Sequence, residues 1–213
     1  MERQTGYTAR TSPAWERQSW LSAATLESVE EVNEQLLALL RAQCGVAAAQ
    51  PSLLRDIGSL VLNLDSKSLR CAAASAVLLA DAQFADARLW SEALVGAVND
   101  RPFTPTAFFT VDATVAVMRL VVTHAWHLAR SEPAAARLLL GMSAANLAVF
   151  GGCTLTRLTQ LAETHPQWLR PRWESRPGVW CRLLRTAGTG DSRAVERLRV
   201  RALQLLAADA PPG

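Results

Sequence analysis

Three groups of residues have the types and spacing to do chemistry: a histidine pair, an arginine–tryptophan run and an arginine stripe. His124 and His127 stand three apart and share one face of any helix that carries them. A metal centre needs at least three protein ligands. No Asp, Glu or Cys lies at ligand spacing from this pair, and His165 is remote in sequence. Neither a metal nor a cofactor is expected. Gly151-Gly152 follows Phe150 with no preceding strand pattern, so it reads as a helix end and not a phosphate cradle. No G-x-S-x-G, no P-loop and no paired carboxylates in apolar surroundings are present, and the chain is not expected to be an enzyme.

The richer segment is Trp168-Leu169-Arg170-Pro171-Arg172-Trp173-Glu174, followed by Arg176. Arginines fixed beside proline and tryptophan lose little entropy on binding and suit phosphate or carboxylate. Arg170, Arg172 and Arg176 are therefore candidate anion-facing residues, and a solvated surface cluster is the competing reading. Trp168 and Trp173 are candidates for a partner interface. Tryptophan is highly buried on average, so filling the core at a helix corner is their commoner role. Further on, Arg193, Arg197 and Arg201 recur every four residues, a stripe able to follow a phosphate backbone. Glu196 partly neutralises it, which leaves plain surface decoration open.

The elements that must position these groups are helical. Thr154 is a good N-cap for the run Leu155 to Thr164, with Leu155, Leu158, Leu161 and Ala162 on one face. Pro166 stops that helix and biases His165 out of the α region. Upstream, Ser28-x-x-Glu31 fits a capping box and predicts a helix carrying Val29, Val32, Leu36, Leu39 and Leu40, closed by Gly45. Ser52 is expected to cap a short helix. Asp65 is expected to cap a longer one through Leu69, Ala76 and Leu79, before another over about 85–98. A long helix follows from about Asp112 to Arg130. Pro133 suits the first turn of the next, Ser143 caps a short one, and a basic helix spans Ser192 to Ala208.

Half of the 213 residues are hydrophobic and 19% are charged, enough for a sizeable core and unlike a disordered chain. Alanine and leucine dominate and alternating β-branched runs are nearly absent, which predicts an all-α, bundle-like protein with no sheet. Residues 1–105 hold nine basic and twelve acidic groups; residues 106–213 hold thirteen and seven. Basicity concentrated in one half points weakly to an anionic partner. The four cysteines are scattered among apolar residues, which argues against zinc or disulfides. No secretory pattern opens the chain and no apolar run reaches spanning length, so a cytoplasmic, non-membrane protein is expected.

Two prolines after Asn99-Asp100 mark a boundary, giving an arm over 1–24, a helical half over 25–100 and a second over 106–213. The halves share an order of parts. Leu69 precedes Phe84 by the same interval that separates Leu158 from Trp173, Ala73 matches Ala162, and Trp90 with Leu94 matches Trp180 with Leu184. Tandem duplication and chance are both open readings. If real, duplication would make one chain the equivalent of a dimer.

The run Leu138 to Trp173 resembles FlhD, a subunit of the bacterial flagellar master transcription regulator. The likeness rests on Leu140-Gly141-Met142-Ser143, on the Thr-Leu…Leu…Leu-Ala-Glu-Thr helix and on Arg172-Trp173-Glu174. It extends more loosely from about Thr114 to Ala208. The resemblance implies an oligomeric activator subunit in a hetero-oligomeric DNA-binding complex with an FlhC-like partner, which carries a zinc site and much of the DNA contact. Family members often carry a bridging cysteine where Leu169 stands, and here that bridge cannot form. The alternative is a helical adaptor or chaperone that binds protein partners only.

Overall fold

Hydrophobic residues at three- and four-residue spacing, broken by local caps, give an all-α protein. The computed structural model describes residues 21–46, 51–95 and 107–209. Its elements are α1 (Ala23–Cys44), α2 (Ser52–Asn63), α3 (Ser66–Ala73), β1 (Ala80–Asp81) and α4 (Ala87–Val95), then α5 (Thr114–Ser131), α6 (Pro133–Leu140), α7 (Ala144–Gly152), α8 (Leu155–Thr164), β2 (Arg170–Pro171), α9 (Pro177–Thr189) and α10 (Ser192–Asp209). The expected boundary at 99–106 lies outside the described residues, as do Met1 to Trp20.

Most helix ends follow side-chain chemistry. The side-chain oxygens of Asp65, Ser143 and Thr154 accept from the N–H groups of Ser68, Asn146 and Arg157, satisfying donors that the first turn leaves unpaired. Pro133 opens α6 at a position where its missing N–H costs nothing.

Ser52 opens α2 behind Pro51 and makes no side-chain cap, contrary to expectation; three larger expectations are also corrected. Helix α1 is capped six residues before Ser28, where the Ser22 hydroxyl accepts from the Thr25 N–H at 3.0 Å. Leu21, assigned to an arm, is buried. Helix α3 ends at Ala73 and does not reach Leu79. The buried Asn33 amide takes over the backbone there: it donates to the Ala73 carbonyl at 3.0 Å and the Val77 carbonyl at 2.8 Å, and accepts from the Leu79 N–H at 2.8 Å. A chain segment so satisfied needs no helix. It runs on into the third departure, a two-residue antiparallel ladder. Ala80 stands opposite Pro171 and Asp81 opposite Arg170, and the Arg172 N–H adds a bond of 2.7 Å to the Leu79 carbonyl.

That ladder is the centre of an internal two-fold. Residues 80 and 170 are equivalent in the two halves, as are 81 and 171, so the pairing is self-complementary in the manner of an isologous dimer contact. Gln83 and Trp173 both have positive φ, at 59° and 54°. Trp90 donates its indole N–H to the Ala82 carbonyl at 3.1 Å, and Trp180 donates to the Arg172 carbonyl at 2.7 Å. Each indole thus closes the turn eight residues before it. The equivalence of Phe84 with Trp173 is off by one residue: the caps Asp65 and Thr154 are 89 positions apart but the corner residues Gln83 and Trp173 are 90 apart, so the second half holds one more residue between cap and corner.

Packing follows the same symmetry. Helix α1 lies on α2 and α3 as α5 lies on α7 and α8. The last helix of each half crosses over: α4 packs on α7 and α8, and α9 on α2 and α3. One hydrophobic cluster runs through both halves, from Leu36 and Ile57 to Leu158 and Trp180. Each half therefore completes the core of the other. Helix α10 has no counterpart among the described residues of the first half; it buries Val195, Ala202 and Leu206 against α9 and α6.

His124, on the buried face of α5, is part of this core. Its Nε2 has no hydrogen-bond partner, and burial together with His127 lowers its pKa to about 4. A folded-state value below the unfolded one means that the unfolded chain binds the proton more readily. Stability is then full above pH about 6.5 and is lost as pH falls towards 4, by up to about 3 kcal/mol. Urea unfolding of the wild type and of His124→Leu at pH 7 and 5 is expected to show a loss that is smaller in the variant. His165, lowered in the same direction by burial, supplies part of the remainder.

Candidate anion-facing surface

The corner after β2 brings Arg170, Arg172 and Arg176 to the rim of one recess of about 520 Å³, shared with Asp81, Gln83 and Glu174. Each arginine meets it differently. The Arg170 guanidinium holds both carboxylate oxygens of Glu174, at 2.5 and 2.8 Å, and both side chains are about one-quarter exposed. A fork of this kind fixes the corner and cancels one positive charge. Arg172 is built in through its backbone, which donates to Leu79 and accepts from Trp180. Its guanidinium lies beside Gly141, 3.7 Å from where a Cβ would stand. Gly141 also has a φ of 66°, which only glycine adopts without strain. Arg176 is exposed at the N-cap of α9, its own N–H bonded to the Trp173 carbonyl at 2.8 Å.

The two tryptophans part company. Trp168 is 2% exposed, so it offers no ring to a partner. Its indole stacks on His165 at 4.3 Å and meets Trp90 edge-on at 5.1 Å. The partner-interface assignment of Trp168 is therefore corrected to core: the turn at Pro166 swings it inward against the cluster of Trp90, Phe84 and Phe150. Trp173 is half-buried and borders the recess.

Arg193, Arg197 and Arg201 form a separate surface on α10, and all three are exposed. Helix α10 turns its apolar side to α9, which leaves the arginine stripe on the outside. Arg197 reaches Asp191 at 3.8 Å, with both side chains more than half exposed, a contact worth little in water. Corner and stripe are therefore two basic regions and not one.

The internal two-fold says which of these charges the fold itself requires. The positions equivalent to Arg170, Arg172 and Arg176 are Ala80, Ala82 and Asp86. A corner of the same backbone shape, with the same positive φ and the same indole hydrogen bond, is built without any arginine. The basic character belongs to the second corner alone. Sequence reasoning did not single out Gly178 or Arg182 on α9, which become notable only once their counterparts, Arg88 and Glu92, are identified through the two-fold.

Among the described residues, no group of three or more His, Cys, Asp or Glu is placed to hold a metal ion, and no helix is long and apolar enough to cross a membrane. No protein-family model, no curated protein and no solved structure matches this chain.

Proposed function

We propose that the chain is a single-chain counterpart of a FlhD-type dimer: a transcription regulator subunit that acts in a hetero-oligomeric DNA-binding complex with an FlhC-like partner in the cytoplasm. The supporting observation is the internal two-fold, in which β1 pairs with β2 and the last helix of each half packs on the other. A chain that folds as an intertwined dimer fits the role that two FlhD-type subunits fill. The exposed stripe of α10 supplies cations towards a phosphate backbone, while the mixed charge of the corner recess makes direct DNA binding by the chain alone weak.

The test is reconstitution with an FlhC-like protein, reading mass by light scattering and DNA binding by gel shift. One copy of this chain is expected in the place of each FlhD-type dimer, with a DNA shift only when the partner is present. No stable complex, or an equal shift by the chain alone, would overturn the proposal. The adaptor reading draws on one observation: the Arg170–Glu174 fork cancels part of the corner's charge beside the half-exposed Trp173, which suits a protein surface better than a phosphate.

A further inference from the structure

A second recess, of about 280 Å³, opens between α9, α10 and the segment that leads into β1. Its walls are apolar: Val77, Leu79, Trp173, Val179, Leu183 and Leu205. Arg182 from α9 and Arg201 from α10 stand at its border, and neither has a carboxylate partner among the described residues. The equivalent place in the first half is built differently. There Arg88 and Glu92 form an ion pair one turn apart along α4. On α9 the same two positions are Gly178 and Arg182. Gly178 leaves open space where a side chain would stand, and the acid has become a base. Gln83 is replaced by Trp173 at the shared positive-φ position, and His165, stacked on Trp168, corresponds to Ser75. All four differences act in one direction. They clear the space, line it with an indole and place a cation over it.

We propose that this groove binds a small carboxylic acid with an apolar body the size of an indole or a short acyl chain, its carboxylate held by Arg182 and Arg201. The volume lies at the lower end for ligand pockets and is too small for a helix. Apolar walls disfavour a sugar or a bare phosphate, and two guanidiniums select an anion over an alcohol. The groove shares Arg201 with the α10 stripe, but Arg182 and Gly178 lie off it, so variants at those two positions test the groove separately from the regulatory reading above.

The experiment is calorimetric titration of the full chain with octanoate and decanoate, below their micelle concentrations, with 1-octanol and inorganic phosphate as comparators. Saturable one-site binding of both acids is expected, tightening with chain length, with 1-octanol at least tenfold weaker and phosphate not bound. Gly178→Arg combined with Arg182→Glu rebuilds the ion pair of the first half and closes the groove; it is expected to abolish binding while helix content stays unchanged. Arg182→Gln, which leaves the groove open, is expected to weaken binding at least tenfold and keeps the test valid if the double variant folds poorly. Absence of saturable binding, equal affinity for 1-octanol, or binding unchanged in Arg182→Gln would overturn the proposal.

Discussion

Trp90→Ala is expected to cost about 3–5 kcal/mol and Trp180→Ala somewhat less, with each variant unfolding in a single transition. Both indoles are fully buried, and both close a corner by donating to a carbonyl eight residues earlier. Truncation therefore leaves a cavity and strands an acceptor, buried at Ala82 and part-buried at Arg172, two costs that add. Trp90 carries a further contribution. It stands edge-on to Phe150 at 4.7 Å and to Trp168 at 5.1 Å, and lies parallel to Phe84 at 6.1 Å. Such aromatic pairs contribute about 0.5–1.5 kcal/mol each beyond simple burial. Against a usual stability of about 5–15 kcal/mol, either loss is large. The interlocked core makes the outcome diagnostic, because a lesion in one half removes support from the other. Urea unfolding followed by circular dichroism is the measurement. Two separated transitions, with only the mutated half weakened, would show that the halves fold independently and would break the single-chain dimer reading.

How much of this was legible in the sequence depends on how local the cause is. The caps at Asp65, Ser143 and Thr154 act within three residues and were read directly. The buried face of α8, with Leu158 and Ala162, followed from spacing alone. The matching order of parts around Trp90 and Trp180 is visible in the sequence, yet the corner falls one residue away from the alignment that spacing suggests. Positive φ is usually flagged by glycine, and here it falls on Gln83 and Trp173, which carry no such signal. Asn33 was invisible for a different reason. Its partners lie 40 to 46 residues away, so nothing in its own helix distinguishes it from a solvent-facing amide. The two-residue ladder is too short to leave an alternating pattern. Arg170 and Glu174 look like neighbours on a helix, but they form their fork across a turn. The sequence places cations near this corner; only geometry shows that Glu174 holds Arg170.

Replacing Arg193, Arg197 and Arg201 together by alanine is expected to flatten the salt dependence of DNA binding by the partner complex. Each arginine that meets a phosphate contributes about 0.9 to the slope of log affinity against log salt. With all three engaged, the slope falls by nearly 3, so a fourfold rise in salt weakens the wild type about 40-fold more than the variant. The fold should tolerate the change. All three side chains are exposed, the Arg197–Asp191 contact is solvated, and α10 is anchored by Val195, Ala202 and Leu206 on its other face. Alanine also has the highest helix propensity, so helicity should hold. Arg172→Ala makes the contrast. Its guanidinium lies against Gly141 within the corner, and removing it should lower stability more than it alters the slope. The two variants separate a phosphate contact from a structural one in the same titration. Parallel slopes for the wild type and the triple variant would mean that the stripe meets protein carboxylates or water, and the adaptor reading would then account better for a basic face on an otherwise apolar helix.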